Sequence, residues 1–166
     1  SNVTVSGGTI NNGNTGLYAT GSSNVTINGD NTNYATITGA GYGLYANGGA
    51  GSTVNMSAGS ISASGTTGTG LYANGSSNST VNITGGTITG GTGEGGNGLY
   101  ANGASTSLVT VSGGTITGFT GLKATGSSNV TISGNNTNYA TITGTNTGLL
   151  ANGGAGSTVN ISAGSI

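Results

Sequence analysis

Three side chains in this sequence carry a formal charge: Asp30, Glu94 and Lys123. His, Cys, Arg and Trp are absent. Cleavage of polysaccharides calls for paired carboxylates, or a carboxylate beside a base, held around one bond. Asp30 and Glu94 instead fall two repeat units apart, with no second titratable group beside either, and Lys123 is equally isolated. Zinc sites draw on thiolate and imidazole, which this chain lacks. Calcium wants about 6–8 oxygens, mostly from carboxylates, and these are too sparse. The sequence therefore predicts a non-enzyme with no catalytic residues, no metal site and no cofactor.

The side chains that do recur are uncharged. The tetrapeptide Gly16-Leu17-Tyr18-Ala19 returns at 43–46, 70–73 and 98–101, then as Gly121-Leu122-Lys123-Ala124 and Gly148-Leu149-Leu150-Ala151. Leu is kept in every copy, whereas the third position accepts Tyr, Lys or Leu. A buried slot would not accept an unpaired lysine cheaply. Leu and Ala are thus expected to face inward, with Tyr18, Tyr45, Tyr72, Tyr100, Lys123 and Leu150 in one outward column. Two readings of that column are open: a stacked ladder that stabilises the strand, or an aromatic strip for a sugar, a surface or a sister fibre. Lys123, next to Tyr100 in such a stack, suits a cation–π contact.

A second candidate face comprises Thr36/Thr38, Thr87/Thr89, Thr115/Thr117 and Thr141/Thr143, interrupted by Ser60/Ser62. Between the two lie Asn55, Asn82 and Asn160, each within an N-x-S/T sequence. Such sequences arise easily in a chain this rich in Asn, Ser and Thr, so amide ladders between copies are the plainer expectation.

What must position these columns is a repeat. With 38 glycines in 166 residues, no helix of useful length survives, since each interior glycine costs about 1 kcal/mol relative to alanine. Val, Ile, Leu and Phe together make only 29 residues, a content typical of disordered chains. Disorder, however, goes with high net charge and unpatterned apolar residues. Here the net charge is −1 and the aliphatics alternate strictly. Each unit carries Leu-x-Ala, then Val-x-Val/Ile/Met, then a single Ile flanked by Thr or Ser. Period-2 alternation indicates strands with one buried face. Three such strands cannot bury themselves alone, but stacked copies can.

The expected fold is all-β: a right-handed parallel β-helix with about three strands per coil of about 27 residues. It is read as a single array over 1–166: partial coil 1–15, coils 16–42, 43–69, 70–97, 98–120 and 121–147, and partial coil 148–166. The short coil 98–120 is expected to lose its residues after Ile116, where Gly118-Phe119-Thr120 replaces a longer connector. A longer period overlies the coils. Ala19–Ile61 and Ala124–Ile166 agree at 36 of 43 positions, offset by 105 residues. That super-repeat reads as a section of a longer fibre.

Laid out this way, the chain resembles the β-helical passenger regions of bacterial autotransporter and filamentous-haemagglutinin-like adhesins. The features that carry the likeness are G-L-Y-A-N-G at 70–75 and V-N-I-T-G-G-T-I-T at 81–89. The resemblance implies a secreted, surface-displayed stalk or filament acting in adhesion, aggregation or biofilm. It would partner itself, end to end or laterally, or bind a cell-surface or glycan receptor. The near-neutral chain lacks the charge needed for nucleic acid, and no apolar run is long enough for a membrane-spanning segment. Two alternatives belong to other classes. The Thr/Ser face resembles the Thr-x-Thr faces of β-helical ice-binding proteins, and other β-helices are carbohydrate-active enzymes. GGTGEGG at 90–96 resembles a glycine-rich calcium repeat, without the aspartates such a repeat needs.

Overall fold

The computed structural model describes residues 1–11, 13–29, 32–48, 51–75, 78–103, 106–135, 137–153 and 157–166. Among these residues there is no helix, and nearly all strand pairing is parallel between one coil and the next. The protein is a β-solenoid. One sheet stacks the Val-x-Val/Ile/Met segments in the order Asn2–Val5, Asn24–Ile27, Ser52–Met56, Asn78–Ile83, Thr106–Val111, Ser128–Ile132 and Thr158–Ile161. Register is kept without slippage: Val25, Val54, Val81, Val109, Val130 and Val159 lie opposite one another in succession.

The isoleucine segments and the tetrapeptide segments stack in the same manner. They become one sheet because two strands, Gly114–Thr125 and Asn138–Asn152, run straight through both segments. The short coil 98–120 loses its residues where expected, since Gly118-Phe119-Thr120 leaves no room for a corner. A register shift between Gly118 and Thr120 absorbs the one-residue difference from the next coil.

Four of the five coils reach 27 or 28 residues by lengthening different corners. Coils containing 28–34 and 133–139 are long between the valine and isoleucine segments. Coils containing 64–68 and 91–96 are long between the isoleucine and leucine segments. The described residues of two insertions pair antiparallel as small hairpins, Gly29 with Tyr34 and Gly134 with Tyr139.

The interior is a set of aliphatic columns. Leu44, Leu71, Leu99 and Leu122 are fully buried, as are Ile37, Ile61, Ile88, Ile116 and Ile142. Val3, Val5, Ile10 and Leu17 are partly buried and pack against this core. The glycine that opens each tetrapeptide has a packing reason rather than a turn reason. A Cβ built on Gly70 would lie 2.7 Å from the Thr89 carbonyl, 2.8 Å from the Gly98 carbonyl and 2.9 Å from Ile88 Cγ2. Gly16, Gly43, Gly98 and Gly121 meet the next coil's carbonyl equally closely. This glycine column lets the isoleucine of a coil close over the glycine that opens the same coil, as Ile61 does over Gly43 and Ile88 over Gly70.

Candidate functional site

The six positions of the tetrapeptide column stand in one unbroken register: Tyr18, Tyr45, Tyr72, Tyr100, Lys123, Leu150. Alternation along each strand turns the flanking Leu and Ala inward and this position outward. Tyr18 is 55% exposed and Leu150 39%, while Tyr45, Tyr72, Tyr100 and Lys123 are half-buried.

Ring spacing follows strand spacing. Tyr18 and Tyr45 stack at 5.0 Å between centroids with planes 11° apart. Tyr45–Tyr72 and Tyr72–Tyr100 follow at 4.9 Å, progressively tilted. Lys123 Nζ then sits 4.5 Å from the Tyr100 centroid, so the ammonium covers the last ring face. Such a contact contributes about 0.5–1 kcal/mol at an exposed site. Tyr42, three residues before Tyr45, also joins the cluster, 5.0 Å from Tyr45 and 5.7 Å from Tyr72. Nothing in the repeat pattern pointed to it, because the other copies carry Thr or Asn there.

Beside the rings runs an amide ladder that sequence reasoning missed. Asn74 donates from Nδ2 to Asn47 Oδ1 at 3.1 Å, and Asn102 donates to Asn74 Oδ1 at 3.1 Å. The Thr125 hydroxyl then donates to Asn102 Oδ1 at 2.8 Å. Position +2 from each tyrosine shares its face, which is the signal that could have found this ladder. The ladder and the rings touch: Asn102 Nδ2 lies 3.4 Å from the Tyr72 hydroxyl. Burial pushes the Tyr45 and Tyr72 phenols above the ordinary value of 10.0. Neighbouring phenols add to the rise and the Asn74 and Asn102 amides oppose it.

The ladder expected among the valine-segment asparagines is present where Asn82 donates to Asn55 Oδ1 at 2.8 Å. Asn160 is exposed. The Thr/Ser face is also in register. Thr36 and Thr38 lie against Ser60 and Ser62, which lie against Thr87 and Thr89, then Thr115 and Thr117, then Thr141 and Thr143. Thr38 and Ser62 hydroxyls are 3.0 Å apart, and Thr117 Oγ1 donates to Thr89 Oγ1 at 3.5 Å.

The charged residues are not brought together. Glu94 is exposed on the 91–96 corner, Lys123 caps the ring stack, and Asp30 lies outside the described residues. Among the described residues no group of three His, Cys, Asp or Glu could hold a metal ion. Among the same residues, no helix is long and apolar enough to cross a membrane.

The geometry decides what the tyrosine column can offer a ligand. A sugar or a planar molecule binds a ring through its face, but the faces of Tyr45 and Tyr72 are turned to one another along the axis. What remains outward is a row of ring edges and hydroxyls, flanked by amides already bonded between coils. At Tyr45 and Tyr72 the column is stacked upon itself. No protein-family model matches the chain, and neither a curated protein nor a solved structure matches it.

Proposed function

We propose that this chain is a segment of a non-catalytic extracellular fibre or surface stalk, acting in adhesion, aggregation or biofilm formation. The observation that carries the reading is how the outward columns are used. Tyrosine rings stack on tyrosine rings, asparagine amides bond to asparagine amides, and Thr38 bonds to Ser62, each one coil along. Such a surface spends its polar and aromatic groups on cohesion along one axis. Enzymes instead converge titratable groups on a point, and the described charged residues, Glu94 and Lys123, are apart. Stacking in which each coil needs only its neighbours also extends without limit of length, which suits a fibre. The likeness of G-L-Y-A-N-G and V-N-I-T-G-G-T-I-T to adhesin passengers supports the same reading.

The test is immunogold electron microscopy of the source cells, using an antibody raised against this chain. Gold along filaments or stalks outside the cell is the expected result. Label confined to the cell interior would overturn the proposal.

A further inference from the structure

The super-repeat builds a walled trough that the fibre reading does not use. The hairpins bridged at Gly29–Tyr34 and Gly134–Tyr139 stand four coils apart on the same side of the solenoid, about 19 Å at a strand spacing of about 4.8 Å. Between them the corners are short: Ser57-Ala58-Gly59, Thr84-Gly85-Gly86 and Ser112-Gly113-Gly114. Gly59, Gly86 and Gly114 adopt φ values of +91°, +86° and +85°. That conformation favours glycine, and it leaves the floor almost bare of side chains.

A cleft of about 650 Å³ occupies this trough, lined by Tyr34 and Gly29 from one wall, Asn138 from the other, and the first two floor corners. A smaller hollow of about 350 Å³ continues it along Thr84, Ser112 and Asn138. The walls have a sense of direction. Asn33, the counterpart of Asn138 one super-repeat earlier, lines a separate hollow on the other side of the first hairpin, beside Ser6 and Ser57. Each hairpin thus presents an asparagine to one side, and the first presents Tyr34 to the other.

We propose that this trough binds a neutral oligosaccharide of a few sugar units. The described lining residues carry no charge, which disfavours phosphates, acidic sugars and nucleic acid. Few aliphatic side chains reach the floor, which disfavours an apolar ligand. What the trough does offer is one large exposed ring, Tyr34 at 50% exposure, with the exposed hydroxyls of Ser57, Thr84 and Thr87 and the amide of Asn138. Hydroxyls and amides both donate and accept, as a ligand covered in hydroxyls requires. A phenol ring adds a broad, weakly polar face for the apolar side of a sugar. Unlike Tyr45 and Tyr72, Tyr34 stands apart from the stacked column. The volume falls within the usual range of about 300–1,000 Å³ for ligand sites. The proposal deepens the adhesive reading above by naming a ligand class, and rests on that reading only for where the ligand would be met.

The test is NMR titration of the purified chain with cellotriose, maltotriose and triacetylchitotriose. The expected result is saturable shifts at Tyr34, Ser57, Thr84, Thr87 and Asn138 with at least one of the three. Tyr34→Ala should weaken that binding about tenfold or more. Thr87→Val, which keeps the shape and removes one hydroxyl, should weaken it less, while Tyr18→Ala should leave it unchanged. Absence of saturation with all three sugars would overturn the proposal. So would shifts confined to the tyrosine column, or wild-type affinity in Tyr34→Ala with its β-sheet circular dichroism intact. None of these outcomes bears on where the fibre is found, which electron microscopy reads separately.

Discussion

Replacing Gly70 by alanine adds one carbon where three atoms already lie at 2.7, 2.8 and 2.9 Å. Ordinary contact begins at 3.4 Å, so the neighbours must retreat by half an ångström or more. Two of them are backbone carbonyls, of Thr89 and Gly98, within or beside strands that stack on the same coil and the next. Neither can swing aside as a side chain can. Overpacking of this kind costs about 1–3 kcal/mol, and the backbone setting argues for the upper half. Against it stands the lower entropy of alanine in the unfolded chain, worth about 0.4–1 kcal/mol. The net expectation is a loss of about 2 kcal/mol. Gly13→Ala is the control. A Cβ there meets nothing within 4 Å, and its φ is not positive. Only the entropy term remains, so Gly13→Ala should be neutral or slightly stabilising. Urea denaturation followed by circular dichroism reads both. Equal midpoints for Gly70→Ala and Gly13→Ala would refute the close-packing account of the glycine column.

Leu71 is fully buried, so Leu71→Asn should cost about 4 kcal/mol or more, from lost burial and an unpartnered amide. Tyr72→Ser should cost about 2 kcal/mol through its stacked neighbours while the β-sheet spectrum persists; collapse of that spectrum would reverse the assignment of faces. Tyr45 and Tyr72 hold their phenolic protons to higher pH than the unfolded chain does. Their contribution is therefore intact below about pH 10 and is lost as pH rises through the raised folded-state values. Thermal melts at rising alkaline pH should show this loss, and Tyr72→Phe should reduce it. On the Thr/Ser face, serines break the rank of threonine methyls at Ser60 and Ser62, so no thermal hysteresis is expected from the concentrated protein. A measurable hysteresis would restore the ice-binding alternative.

Much of this architecture could be read from the residues because the repeats act as their own comparison. Leu held constant beside a slot that accepts Tyr, Lys or Leu separates inside from outside, and the structure places those residues accordingly. The deletion after Ile116 was legible because the strand segments around it are intact. Other features left no such trace. Glycine at the head of each tetrapeptide looks like turn chemistry, and only the approach of another coil's carbonyl reveals packing. Tyr42 occurs in one copy, so no column announces it. The 28–34 and 133–139 hairpins are rich in Asn, Thr and Gly, as any connector is. Their meaning depends on which corners of the neighbouring coils are short. The asparagine ladder at 47, 74 and 102 is legible from its place two residues after each tyrosine, on the same strand face.

Parallel stacking also dictates how the protein should answer a pull. Coils touch only their neighbours, and the backbone hydrogen bonds that join them run along the axis. Tension transmitted through the chain should therefore peel one coil at a time rather than shear the whole body at once. Each event frees about 27 residues, roughly 90 Å of extended chain at about 3.4 Å per residue. Coils tied by tyrosine stacking and amide ladders should yield at higher force than those beyond Lys123, where the ring stack gives way to Leu150. A tether built this way lengthens in steps and dissipates load at each one, while the coils still stacked keep their shape.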